Sequence, residues 1–200
     1  DTTEARNKYL ESMDDNIEEL DGLVDELLTY ARFDREEPQL NIKRQDVVKI
    51  VEDVVHRFTL TESNIRFSVS FDSTLPNQKL LCDCDGEAVA RILDNLIRNA
   101  IRYARDNIEV KLGVLNNQVQ VSVNDDGPGI PEESWSSVFD PFVRLDKSRD
   151  RNSGGIGLGL AIVKRYIELH KGNVTVGQSS SGGACFLLQW PITSPVNTHI

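Results

Sequence analysis

Asp125-Asp126-Gly127-Pro128-Gly129-Ile130 opens, and Gly154-Gly155-Ile156-Gly157-Leu158-Gly159-Leu160 closes, the stretch whose reading decides the fold. Between the two glycine clusters stand Phe139-Asp140-Pro141-Phe142-Val143-Arg144 and a polar run over residues 146–153. Glycine reaches backbone conformations closed to other residues and lets a main chain touch a ligand, so two such clusters point to one cleft approached from two sides. The second cluster runs into an apolar-periodic segment, Leu158, Leu160, Ala161, Ile162, Val163, Tyr166 and Ile167, which predicts a helix. Its first free N–H groups would then face a phosphate.

Two familiar glycine loops fail on spacing. A Walker A loop needs Lys-Ser/Thr directly after its last glycine, and none is present. A dinucleotide fingerprint starting at Gly155 needs Gly or Ala where Leu160 stands, and one starting at Gly157 needs it where Ile162 stands.

Upstream, Asp85 is placed to cap a helix running to about Arg102, which contains Asp94-Asn95-Leu96-Ile97-Arg98-Asn99-Ala100-Ile101-Arg102-Tyr103. At about 100° per residue, Asn95, Asn99 and Arg102 fall within roughly 60° of one another, at the edge of the face bearing Val89, Ile92, Leu93, Leu96 and Ala100. They border the core instead of open water. An asparagine carbonyl can help hold Mg²⁺, which keeps several waters and shares phosphate oxygens. The plainer alternative is a pair of amides bridging backbone.

At the N-terminal end, Leu10, Met13, Ile17, Leu20, Val24, Leu27 and Ala31 follow one another at alternating spacings of three and four, a heptad seam with acidic residues around it. Such a seam needs a partner helix, on the same chain or in a second copy. Packing on its own domain's core is the alternative, although a core-facing helix usually has a wider apolar face. Glu37-Pro38 then predicts a hinge near residues 34–39. Beyond it, residues 40–43 form a strand candidate, and Asp46 can cap a helix bearing Val47, Val51, Val54, Val55 and Phe58. Ile65, Phe67, Val69 and Phe71 alternate as a strand, and residues 79–83 form another. Residues 108–112 and 119–123 flank Asn116-Asn117 as a hairpin. Strands near 174–176 and over 184–190 follow, separated by a Ser/Gly turn at 178–183, and residues 194–200 read as a tail. The expected class is α+β, a two-layer α/β sandwich with helices on one face of a mixed sheet, preceded by a long coiled-coil-type helix.

Composition narrows the function. With 39% hydrophobic residues a sizeable core is possible, and no apolar run reaches the roughly 18 residues of a membrane span. The chain opens on aspartate and lacks a signal region, so it reads as an excised soluble piece. Of the net charge of −10, residues 1–37 carry −9, from thirteen Asp/Glu against four Lys/Arg. Duplex nucleic acid is excluded as a partner for such a surface. Cys82, Cys84 and Cys185 make no disulfide framework and fit a reducing compartment, and Cys82-x-Cys84 has no second ligand pair that would make a zinc site.

Asp125-x-Gly127-x-Gly129, then Phe139-x-Pro141-Phe142, then Gly155-x-Gly157-Leu158-Gly159-Leu160 resemble the nucleotide-binding boxes of bacterial sensor histidine kinases, and the Asp94 decamer resembles their N box. The resemblance covers residues 85–190, and the heptad helix matches the second helix of the family's dimerisation hairpin. Residues 139–163 resemble the sensor kinases of the RstB type. What this implies is the Bergerat ATP-binding fold, shared with gyrase-type and Hsp90-type ATPases. It divides the chain into a hairpin helix (1–35), an ATP-binding catalytic domain (36–193) and a tail (194–200). Carried over by position, Asn99 would ligate Mg²⁺ with Asn95 as second ligand or water-holder. Arg102 would meet phosphate, Tyr103 the adenine or ribose, and Asp125 the adenine amino group. Gly127 and Gly129 would close on the base, Gly157 and Gly159 would admit the phosphates, and Ile130, Gly155, Leu158 and Leu160 would belong to the same nucleotide site. Arg144 and Arg149 stand where lid cations bind phosphate, or else are plain surface arginines. Phe139 and Phe142 would anchor the lid, a role core packing explains equally well.

Gyrase-type and Hsp90-type ATPases place a glutamate where Asn95 stands, as general base for water, and an amide cannot take that proton. Hydrolysis is therefore expected to be poor, and the resemblance implies that the phosphoryl group goes to a histidine on the first hairpin helix, and from it to a response-regulator receiver domain. The chain departs from the family in two ways. None of His56, His170 and His199 stands in an acceptor context, so no catalytic residue is assigned and the acceptor helix is expected before Asp1. Ile156 also stands where a Thr or Ser is usual. By resemblance the whole protein would be a homodimer through its hairpin helices, in the bacterial inner membrane through segments outside this sequence, with this domain cytoplasmic. Other readings are an ATPase or serine kinase of the same fold, or a non-catalytic nucleotide-sensing dimerisation module.

Overall fold

The computed structural model describes residues 2–35, 39–72, 75, 79–145 and 155–193. Helix α1 (Thr2–Arg35) is followed by strand β1 (Lys43–Asp46), α2 (Val47–Thr61), β2 (Arg66–Phe71), β3 (Leu81–Cys84) and α3 (Gly86–Tyr103). Strands β4 (Asn107–Leu115) and β5 (Gln118–Asp125), helix α4 (Gly159–Leu169), and strands β6 (Asn173–Gln178) and β7 (Ala184–Pro191) complete it.

Five strands form one mixed sheet in the order β2-β4-β5-β7-β6, with β2 parallel to β4 and every other pair antiparallel. β1 and β3 make a separate antiparallel pair. The expected two-layer sandwich is present, and the alternation explains it. Ile108, Val110 and Leu112 of β4, Val119, Val121 and Val123 of β5, and Phe186, Leu188 and Trp190 of β7 are buried on one face. The helices cover that face with Val51, Val54 and Phe58 of α2, Ile92, Leu93 and Leu96 of α3, and Val163 and Ile167 of α4. Each such side chain contributes roughly 1.5–3 kcal/mol by leaving water. Between β4 and β5, Asn116 (φ 52°) and Asn117 (φ 60°) both take the left-handed conformation that a two-residue hairpin turn of right-handed twist demands.

Two expectations need correction. The strand placed at 40–43 lies at Lys43–Asp46, because that register pairs it with β3, Lys43 opposite Cys84 and Asp46 opposite Leu81. Asp46 precedes α2 but makes no side-chain cap, since its Oδ1 accepts from the Leu80 N–H at 3.2 Å. Asp85 does cap α3, its Oδ1 accepting from the N–H groups of Glu87 and Ala88, each at 3.1 Å. Of the hinge at 34–39, residues 36–38 lie outside the described residues, as does the tail 194–200.

α1 is two-sided. Leu10, Met13, Ile17, Leu20, Val24 and Leu27 of the heptad seam are all exposed. A stripe of Glu26, Thr29, Tyr30 and Phe33, about 150° round the helix at 100° per residue, faces the chain's own helices instead. There Arg91 Nη1 of α3 donates to Thr29 Oγ1 at 2.7 Å, and the Phe33 ring meets Tyr166 of α4 edge-on with centroids 4.9 Å apart. The helix thus docks on its own domain without spending its seam.

Candidate functional site

Asp125 ends β5 and is 3% exposed, at the wall of a cavity of about 690 Å³. Its Oδ1 accepts from the N–H of Gly127 at 2.9 Å and of Ala184 at 3.1 Å. Both donors sit on that one oxygen, which leaves Oδ2 as the acceptor for a donor in the cavity. Burial raises the carboxyl above its ordinary pKa, while the two N–H groups pull it back. Its main-chain oxygen is held by Ser179 Oγ, donating at 2.6 Å, and that hydroxyl in turn accepts from the Gly183 N–H at 3.0 Å. A Cβ on Gly183 would collide with Asp125 Oδ1 and main-chain O. The Ser/Gly turn between β6 and β7 is therefore part of the site, which its sequence marks only as a turn.

The neighbouring Asp126 faces the other way. Burial works against its charge, yet the Asn107 side-chain amide and the N–H groups of Asp106, Asn107 and Arg105 hold its pKa down to about 2. The Arg105 N–H donates to it at 2.8 Å and Asn107 Nδ2 at 2.7 Å. Through these bonds the α3–β4 loop is tied to the end of β5. That fixes Tyr103 beside Asp125, and a Cβ on Gly127 would strike the Tyr103 carbonyl.

The cavity also carries a cation. Arg102 lines it, with Nη1 2.9 Å from the point a Cβ on Gly155 would occupy. Gly157 takes φ +79°, and a side chain there would also press on Val143 O at 2.9 Å, so this turn is closed to other residues. The Gly157 carbonyl accepts from the Phe142 N–H at 2.9 Å, and Phe142 itself stands at φ +66°. A positive φ on an aromatic residue is strained, and here it bends the chain between the cavity and α1.

The cavity brings together Asn99, Arg102, Tyr103, Asp125, Gly129, Ile130, Arg144, Gly155, Gly157 and Leu160. Four further candidates stand off it. Gly127 packs under Tyr103, and Leu158 is fully buried at the head of α4. Asn95 Nδ2 donates to the Arg91 carbonyl at 2.9 Å, and its Oδ1 lies 2.8 Å from where a Cβ on Gly159 would be. Asn95 and Gly159 thus face each other off the cavity lining. Arg149 is outside the described residues. The sequence reading missed the wall of Pro131, Trp135 and Val138, which Trp135 braces by donating Nε1–H to the Ile130 carbonyl at 2.9 Å. Its only signal is Trp135 and Val138 standing among polar residues before Phe139. Of the histidines, His56 is exposed on α2 and His170 is buried. His170 Nε2 accepts from the Asp85 N–H at 3.1 Å while Nδ1 meets the Tyr166 carbonyl at 2.8 Å, a staple between the start of α3 and the end of α4.

Residues 84–194 match the model of the histidine kinase-, DNA gyrase B- and HSP90-like ATPase family. The chain is 37% identical over 186 residues to the sensor protein RstB of Escherichia coli K12, covering 91% of this chain and 41% of that protein. To the sensor histidine kinase WalK of Bacillus subtilis 168 it is 31% identical over 188 residues, covering 92% of this chain and 30% of that one. The solved full-length ShkA in complex with AMPPNP superposes with a TM-score of 0.79 at 26% identity, covering 94% of this chain and 39% of that one.

Proposed function

Because the chain belongs to the histidine kinase-, DNA gyrase B- and HSP90-like ATPases, we propose that it is the ATP-binding catalytic domain of a sensor histidine kinase, residues 36–193, preceded by the second helix of that kinase's dimerisation hairpin. The observation that carries this is the polarity of one cavity. A buried carboxylate with a spare oxygen lines it together with Arg102 and the Gly155–Gly157 turn. That is the arrangement an adenine with a charged phosphate tail requires, and about 690 Å³ is within the size range of small-ligand pockets.

The donor set fits ATP in detail. Asp125 Oδ2 accepts from the adenine amino group, a charge-assisted bond in a dry wall. Ile130 and Tyr103 flank the base. Arg102 and Arg144 meet the phosphates, with Arg149 as a further lid cation. The set also fits Mg²⁺. Asn99 offers a single neutral oxygen inside the cavity, and no group of three or more His, Cys, Asp or Glu able to hold a metal stands among the described residues. That suits an ion held largely by phosphate oxygens and water, with Asn95 reached through water. When bound, Mg²⁺ supplies charge neutralisation at the transferring phosphoryl group.

Asn95 decides the reaction type. An amide cannot take a proton from water at neutral pH, so this site holds the triphosphate without activating water against it. The phosphoryl group goes instead to a histidine imidazole brought in line on the other helix of the hairpin, the nitrogen–phosphorus bond forming as the bond to ADP breaks. From there it passes to the aspartate of a response-regulator receiver domain. The exposed seam of α1 is the surface for a second copy, making the kinase a homodimer. The chain spans 41% and 30% of the length of these two relatives, and membrane attachment in the bacterial inner membrane is assigned to other segments, leaving this domain in the cytoplasm. No described helix is long and apolar enough to cross a membrane.

The test is a mixture of this chain, Mg·ATP labelled on the terminal phosphate, and a supplied acceptor hairpin. Label on the hairpin histidine supports the kinase. Tight binding with neither transfer nor hydrolysis would instead identify a nucleotide-sensing module.

A further inference from the structure

Glu26 belongs to the stripe by which α1 lies against the domain. Its Oε1 is 3.9 Å from the point where a Cβ on Gly159 would stand, and that same point is 2.8 Å from Asn95 Oδ1. The carboxylate therefore sits at the start of α4, beside Asn95. α1 is held in that place by the Arg91–Thr29 bond at 2.7 Å and the Asp25–Arg91 ion pair at 3.8 Å. Tyr30 adds an edge-on contact to Phe142 with centroids 6.3 Å apart, and Phe142 is bonded to Gly157 in the turn beside the cavity. Burial raises the Glu26 carboxyl, and the fields of Arg102 and Arg98 pull it back. Neither Glu26 nor Arg102 has an ion-pair partner among the described residues.

We propose that Glu26 of docked α1 discriminates between nucleotides by phosphate number: its carboxylate stands where a third phosphate would approach Arg102 and Asn95, so the docked form accepts a nucleoside diphosphate and opposes a triphosphate. The inference rests on the nucleotide reading of the cavity. A diphosphate ends at Arg102 and the Gly157 turn. A third phosphate extends toward Asn95 and brings another negative charge against a half-buried carboxylate, where salt screens little. Binding equilibria are reciprocal, so a triphosphate must loosen α1 by the same factor as docked α1 weakens the triphosphate. Tyr30 serves the same end from the other side, because undocking releases Phe142 and with it the carbonyl of Gly157.

The test is a calorimetric titration of the whole chain with Mg·ADP and with Mg·ATP, for the unaltered protein, Glu26→Gln and Tyr30→Ala. Glu52→Gln, on the exposed side of α2, controls for net charge. Glu26→Gln is expected to raise the affinity for the triphosphate about tenfold (about 1.4 kcal/mol) while moving the diphosphate less than about twofold. Tyr30→Ala, which removes the edge-on contact to Phe142 and so loosens α1 without touching the carboxylate, is expected to move the same ratio in the same direction. In the unaltered chain, the triphosphate should speed amide exchange in the last turns of α1 more than the diphosphate does. Equal changes for both nucleotides would overturn the proposal. So would a weaker triphosphate in Glu26→Gln, or unchanged affinities with a loss of slow hydrolysis, either of which would make Glu26 a helper of the reaction. Failure of the unaltered chain to bind either nucleotide would instead overturn the nucleotide reading, and this inference with it.

Discussion

Replacing Asp125 by asparagine keeps the side chain's shape and removes its charge, and the structure fixes which way the new amide must turn. Gly127 and Ala184 both donate to Oδ1, at 2.9 and 3.1 Å, inside a wall where the residue is 3% exposed. Turning the NH₂ toward those two N–H groups would leave donors facing donors, so the amide oxygen stays on them and the NH₂ faces the cavity. The fold keeps its two bonds. An adenine amino group, however, now meets a donor in place of a carboxylate oxygen. The lost bond to a charged acceptor costs about 1.5–3 kcal/mol, and the unpaired donor about 1–3 more. Even the first figure alone is roughly a 10–150-fold loss in ATP affinity. Inosine triphosphate carries a ring carbonyl where ATP carries the amino group, so it gains a partner in the same variant. Calorimetry with Mg·ATP and Mg·ITP on both proteins is therefore expected to show a reversal of preference, with the melting temperature little changed. Equal loss of both nucleotides, or no change in their order, would refute the assignment of the base to Asp125.

Gly183→Ala puts a methyl group against Asp125 Oδ1 and main-chain O. It should cost about 1–3 kcal/mol of stability by denaturant unfolding and weaken ATP binding as well, although the residue carries no side chain to bind anything. His170 is held neutral, its pKa lowered chiefly by burial below the ordinary 6.5. The unfolded chain then takes the proton first, so stability should be full above about pH 6.5 and fall as pH drops toward the lower folded value. His170→Gln should flatten that slope in denaturant titrations across the window. Ile17→Asp, on the exposed seam, should abolish self-association in sedimentation while leaving ATP affinity unchanged, because the docking stripe lies on the other side of α1.

The sandwich was legible because its signals are local. Alternation in residues 108–112 and 119–123, the Asn116-Asn117 turn and the Asp85 cap each reflect interactions between residues close in sequence. Asp46 was misread for the opposite reason. Its carboxylate had a competing donor, the Leu80 N–H, 34 residues away, and nothing near Asp46 announces it. The same limit applies at the site. Asn99, Arg102 and Asp125 stand in periodic or glycine-flanked contexts that can be read directly, whereas Ser179 and Gly183 reach Asp125 only once β7 pairs with β5. Asn95 shares a helix edge with Asn99, but helix geometry alone could not say that its amide would turn to Arg91 and Gly159 instead of lining the cavity. α1 was legible as a seam and not as a second, docking face, because Glu26, Thr29, Tyr30 and Phe33 mix charge, hydroxyl and aromatic groups and so leave no apolar period.

The most direct measurement is phosphoryl transfer from terminally labelled Mg·ATP to an acceptor hairpin added to this chain. Label is expected on a hairpin histidine, acid-labile and base-stable, appearing faster than free phosphate and lost in Asp125→Asn. Release of labelled inorganic phosphate with none on the hairpin would contradict that expectation, because it would mean that the site activates water despite Asn95.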